Sequence, residues 1–131
     1  MTIEPAIHFR LDLRSGVAPY RQLVEQVLRA VESGRLRGGD QLPSVRDVVG
    51  QITINPNTVH RAYRELEHLG LVEGRSGLGT FVYEHVTAGD SLSELRAGLQ
   101  RWIRDARDRG ISDATLQAMW RDAIAAREAS R

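Results

Sequence analysis

Apolar residues recur along this chain in two rhythms. Over residues 7–13 (IHFRLDL) they alternate, with Ile7, Phe9, Leu11 and Leu13 on one side. A period of two predicts a short strand. After a turn at Ser15-Gly16 the rhythm changes. Pro19 suits the first turn of a helix, and Tyr20, Leu23, Val24, Val27, Leu28 and Val31 follow at spacings of three and four. That stripe predicts an amphipathic helix ending near Ser33-Gly34. The stretch RLRGGDQLP reads as a loop. Ser44 can cap a short second helix, with Asp47 three residues on as a weak capping-box partner. Its inward residues are Val45, Val48 and Val49, and Gly50 ends it. Ile52 and Ile54 anchor the turn that follows. Asn55 and Pro56 supply a good cap and first residue for a third helix, which runs to Leu69 and is closed by Gly70. Two β-prone runs, 71–73 and 80–83, flank the glycine-rich turn 74–79 and predict a hairpin.

A composition shift at 86–90 (VTAGD) marks a linker. Beyond it two helices are predicted, about 91–109 and 113–129, with a capping box from Ser91 to Glu94 and Gly110 between them. The chain therefore divides into residues 1–85, a winged helix-turn-helix unit, and residues 86–131, a helical tail. The fold class is mainly α with a small β wing.

Composition narrows the function. No apolar run approaches the ~18 residues of a membrane span, and the first ten residues lack the basic patch and apolar stretch of a secretory signal. There are no cysteines, which removes disulfides and thiolate zinc sites and fits a cytoplasmic protein. All 18 basic residues are arginine. Genomic base composition explains that bias, yet every cation is then a planar fork suited to phosphates and guanine edges. The net charge is only +1, so the bulk charge does not announce a nucleic acid. The bias is local, and a DNA face needs a local patch more than a basic whole. Between Gly34 and Arg64, Arg35, Arg37, Arg46, Arg61 and Arg64 face only Asp40 and Asp47.

On the third helix, Val59, Tyr63 and Leu66 share one face, with Ala62 and Leu69 at its edge. Asn57, Arg61, Arg64 and His68 lie opposite, and Thr58 flanks them at the amino end. A short helix, a turn and a longer helix with small polar and arginine residues at its start can read a major groove. Arginine pairs with guanine and asparagine with adenine. A plain solvated helix face is the bland alternative. In the turn 74–79, bare glycine backbone can approach DNA, and Arg75 is a cation for a phosphate or the minor groove. A plain β-turn explains the glycines equally well. Ser44 and Arg46 can clamp a phosphate and set register.

LPSVRD (42–47), NPNTVHRAYRELEHLGLVE (55–73) and GLGTFV (77–82) together resemble the signature of GntR-family regulators. The Asn-Pro-Asn-Thr-Val…Arg-Ala-Tyr run with its short two-helix tail is similar to the YtrA-type subfamily. The resemblance implies a winged-helix DNA-binding domain, a homodimer, and usually repression. It places DNA contacts at Ser44, Arg46, Asn57, Thr58, Arg61, Gly77 and Gly79. The sequence departs from the family pattern at Gly38, where proline is usual, at Val49, where alanine is common, and at His60, where arginine or glutamine is frequent.

The tail helices each carry one apolar stripe: Leu92, Leu95, Leu99, Trp102 and Ala106 on the first, with Ile103 beside them; Leu116, Met119, Trp120, Ala123 and Ile124 on the second. Two helices cannot hide two tryptophans. Pairing with a second copy would make a four-helix bundle, with Leu95, Leu99, Trp102, Leu116, Met119 and Trp120 at the contact. Docking onto the chain's own winged unit is the rival. The tail is too short for a large effector domain, which leaves an interface crevice for any small-molecule effector. No cofactor and no metal are expected: His60 and His68 share a helix about 12 Å apart along it, too far to hold one ion. No nucleophile elbow, catalytic cysteine or carboxylate pair with a histidine points to an enzyme. A winged-helix protein-interaction module without DNA binding is the remaining alternative, and the polar recognition face argues against it.

Overall fold

The structure, a computed structural model, describes residues 7–86 and 90–129. Its elements are α1 (Pro19–Glu32), α2 (Val45–Gln51), α3 (Pro56–His68), β1 (Val72–Arg75), β2 (Gly79–Val82), α4 (Asp90–Asp108) and α5 (Asp113–Ala129). Two compact units divide between Ser93 and Glu94, inside the first turns of α4. Most of the linker expected at 86–90, and the side chain of Ser91 with its capping box, lie outside the described residues.

The first unit has one core. Leu23, Val27 and Val31 from α1, Val48 from α2, Val59, Ala62 and Leu66 from α3, and Val72 and Val82 from the hairpin are fully buried together with Leu36. These are the stripes the three-and-four spacing predicts. Local caps set the helix ends. Ser44 Oγ accepts from the Asp47 N–H at 3.0 Å, and Asn55 Oδ1 accepts from the Asn57 N–H at 2.8 Å. Each satisfies an amide that the helix itself leaves unpaired.

Residues 7–13 correct the expectation of a strand. The segment forms none. The alternation still decides burial at its start, where Ile7 and Phe9 enter the core, but Leu13 at its end is 82% exposed. The backbone partners come from side chains. Gln26 accepts from the Arg10 N–H at 2.9 Å and donates to the Arg10 carbonyl at 2.7 Å. Gln22 does the same for Asp12 at 2.9 and 2.8 Å, and its Nε2 also reaches Ser15 Oγ and the Val17 carbonyl. Two glutamines one helical turn apart thus serve residues 10 and 12 as a neighbouring strand would. Gln22→Leu keeps the volume and removes every one of its bonds. It should cost about 1–3 kcal/mol in urea unfolding and speed tryptic cleavage at Arg10 and Arg14.

Val49 is a second correction. It is 38% exposed, and only Val48 of the α2 valines is fully buried. The third is the wing. The strands run further into the glycine-rich segment than the β-prone residues do, pairing Val72 with Val82, Glu73 with Phe81, Gly74 with Thr80 and Arg75 with Gly79. Only Ser76, Gly77 and Leu78 remain as the loop. Residues 39–42 lie along β2: the Leu42 N–H donates to the Thr80 carbonyl and the Val82 N–H to the Asp40 carbonyl, both at 2.8 Å.

Gly38 also has a structural account. A Cβ there would lie 2.6 Å from the Glu84 carbonyl oxygen. Backbone at 83–84 occupies the space that a proline ring would need.

The second unit is a helical hairpin. Gly110, at φ +81°, closes α4, with its N–H donating to the Arg107 carbonyl at 2.9 Å. Ser112 caps α5 through the Thr115 N–H. Arg107 grips both carboxylate oxygens of Asp113 at 2.9 and 3.0 Å. That bond and the guanidinium charge hold the Asp113 carboxyl below the usual carboxylate range. The contribution is present at neutral pH and is lost as acid protonates Asp113.

Candidate nucleic-acid interface

The outward face of α3 is built by default from its inward one. Val59, Ala62, Tyr63 and Leu66 are buried, so Asn57, His60, Arg61, Arg64 and His68 are left outside. At ~100° per residue, Arg61 falls about 40° to one side of Asn57, and His60 and Arg64 fall to the other. The structure follows that division. Arg61 turns toward α1, where its guanidinium carbon lies 3.8 Å from the centre of the Tyr20 ring. His60 and Arg64 turn toward the wing. With Ser44, Gly74, Leu78, Gly79 and Thr80 they line a cleft of about 370 Å³ between α3, the start of α2 and the hairpin.

Several bonds fix this cleft. The Tyr63 hydroxyl donates to the buried Pro43 carbonyl at 2.6 Å, tying α3 to the residue just before the Ser44 cap. Burial, then the Asp47 charge, pushes the Tyr63 phenol well above its ordinary value, so it stays a donor. Glu67 accepts the Gly74 N–H at 2.9 Å, locking the root of the wing to α3. Gln41 Nε2 donates to the Leu78 carbonyl at 3.0 Å. A Cβ on Gly79, where φ is +124°, would sit 2.6 Å from that same nitrogen. Gly79→Ala should therefore shift the wing loop and lower the thermal midpoint, with a cost of about 1–3 kcal/mol for the strained backbone. An unchanged midpoint would mean that the loop has no fixed shape.

The predicted site residues are placed as follows. Ser44 accepts within its own cap, but a hydroxyl keeps its O–H to donate to a phosphate oxygen. Arg46 is exposed on the first turn of α2. Asn57 is exposed at the amino end of α3, and Thr58 beside it is half-buried. Gly77 stands at the loop tip with open space where a side chain would be. Leu78 next to it is 67% exposed.

Arg75, read from the sequence as a cation for a phosphate or the minor groove, has partners inside the wing. Its Nε and a terminal nitrogen both bind Glu73 at 2.9 Å, and its guanidinium lies 4.4 Å from the centre of the Phe81 ring. Three more residues face the cleft or α3, and the sequence assigned none of them to DNA contact, although it placed Arg64 on the outward face of α3. Arg64 and Thr80 line the cleft. Tyr20, assigned to the α1 core stripe, is half-buried and carries Arg61 on its ring.

In the tail, Ala106 and Leu116 are already buried within the single chain. Leu95, Leu99, Trp102, Met119, Trp120 and Ile124 stay exposed, Trp120 by 52%. Leu99, Trp102, Leu116 and Trp120 line a groove of about 310 Å³ along the hairpin.

Residues 19–82 match the family described as "Bacterial regulatory proteins, gntR family". Over 103 residues the sequence is 37% identical to the HTH-type transcriptional regulator YhcF of Bacillus subtilis, covering 77% of this chain and 85% of that one. Over 105 residues it is 34% identical to the HTH-type transcriptional repressor YtrA of the same organism, covering 78% and 81%. Among solved structures, a GntR family transcriptional regulator from Listeria monocytogenes matches with a TM-score of 0.61 at 25% identity, over 84% of this chain and 98% of that one.

Proposed function

This chain belongs to the GntR family of bacterial regulatory proteins, and we propose that it represses transcription by binding a palindromic DNA operator as a homodimer. Residues 1–85 bind the DNA, and residues 86–131 hold two copies together. The amino end of α3 enters the major groove, where Asn57, Thr58 and Arg61 meet base edges. Ser44 and Arg46 clamp a phosphate, and the wing loop with Gly77 and Gly79 runs along the backbone or minor groove. Arg75 shapes the wing. Repression is the reading that the name of YtrA supports. No catalytic role is assigned to any residue.

The observation that carries this reading is the state of α3. Its inward face is fully buried, while Asn57 and Arg61 are exposed, with no hydrogen bond from either side chain and no ion pair of Arg61 among the described residues. Two such helices related by a two-fold axis read half-sites ~34 Å apart, or a multiple of that. An effector acting on the dimer would work by changing that spacing.

Operators selected from random duplex DNA, followed by a salt titration, test the reading. The affinity should fall linearly in log–log form as salt rises, because phosphate contacts release counterions. Arg46→Ala should lower that slope by about 1 and leave base preference unchanged. Binding insensitive to salt would instead favour a protein-interaction module.

A further inference from the structure

Two arginines of the winged unit lie over aromatic rings, and their donors are used differently. Arg75 covers Phe81 and spends its Nε and one terminal nitrogen on Glu73. Arg61 covers Tyr20 at 3.8 Å and donates to no group among the described residues. Nor does it pair with an acid there. Stacking uses the face of a guanidinium and leaves its in-plane N–H groups free. Those are the groups that pair bidentately with the O6 and N7 of guanine.

Resting on the reading just proposed, we infer that Tyr20 is a positioning residue for base recognition: its ring fixes the plane of the Arg61 guanidinium, and so its specificity for guanine. Tyr20 can do this because α1 holds it still. It follows Pro19 in the first turn, and Leu23 and Val24 bury the next turn of the same helix. An unstacked arginine in solvent samples many rotamers and loses that freedom when it binds. Held against the ring, Arg61 has already lost part of it. The attraction of the cation to the ring face supplies the restraint. A side chain on α1, outside the helix-turn-helix, thereby acts on which base α3 prefers.

The test uses the full chain and a panel of operators carrying single base-pair changes, read by fluorescence anisotropy. Arg61→Ala first identifies the base pair that Arg61 reads. Tyr20→Leu should then lose roughly three- to tenfold of discrimination at that same pair, with the profile unchanged elsewhere. Tyr20→Phe should restore it, since the ring and not the hydroxyl carries the stack. Urea unfolding of each variant accompanies the binding data. Should Tyr20→Leu fail to fold, Tyr20→Phe with a fluorinated ring keeps the shape, weakens the attraction for a cation and should show the same local loss.

A uniform loss across all base pairs would overturn the inference, because it marks Tyr20 as structural only. So would wild-type discrimination in the leucine or fluorinated variant, or failure of Tyr20→Phe to restore it. If the operator binds with steep salt dependence but Arg61→Ala relaxes no position, the inference fails and the DNA-binding reading survives. If no operator is selected, both fail.

Discussion

Arg61→Ala should weaken binding to the selected operator by roughly 1–3 kcal/mol and relax the preference at one base pair in each half-site. The size follows from what the wild-type side chain brings. Its donors are unspent within the protein and its charge is unpaired among the described residues. A bidentate bond to guanine then discriminates against the other bases by a comparable amount. The core beneath contributes nothing to the loss, since Val59 and Leu66 on the opposite face are untouched. Binding to non-specific duplex should fall far less, by the share of one cation. Equal affinity of mutant and wild type on the operator would remove Arg61 from the readout.

Trp102→Ala should break the proposed dimer. The tryptophan is 37% exposed on a tail that leaves Leu95, Met119 and Trp120 exposed as well. A buried tryptophan anchor typically contributes ~2 kcal/mol or more at an interface. A two-fold axis counts the change twice, so the dimer dissociation constant should rise roughly a thousandfold. Ultracentrifugation at micromolar concentration should show monomer where the wild type shows dimer. The first unit has its own core, so its unfolding should not change. A monodisperse dimer from Trp102→Ala would contradict the four-helix bundle. Leu116, grouped with the contact on sequence spacing, is already buried in the single chain. Its truncation should therefore destabilise the hairpin as well as the dimer.

The helices were legible because their signals are local. Ser44, Asn55 and Pro56 announce helix starts with their own side chains, and the stripes of α1 and α3 name the residues that the core buries. The first segment was misread because alternation specifies which side chains are buried, not what satisfies the backbone. Here Gln22 and Gln26 do, from ten and sixteen residues away. Val49 shows the same limit, since helical spacing sets a direction but not whether a neighbour waits there. The wing is longer than its β-prone residues because pairing and the bond from Gly74 to Glu67 override the weak strand propensity of glycine. The candidate site was legible as a set of residue types on one helix. Its division was not. That Arg75 is held by Glu73 and Phe81, while Arg61 rests on Tyr20, depends on contacts across the hairpin and between α1 and α3. Of these, only the 73–75 pair is close in sequence.

The chain has no cysteine, so Asn57→Cys creates a single attachment point for an iron-chelate DNA-cleaving reagent at the start of α3. On the selected operator, the labelled protein should cut in two clusters, one inside each half-site, with centres ~34 Å apart or at a multiple of that. Cutting that is absent, or scattered evenly along a duplex to which the labelled protein is bound, would show that this helix face does not meet the DNA.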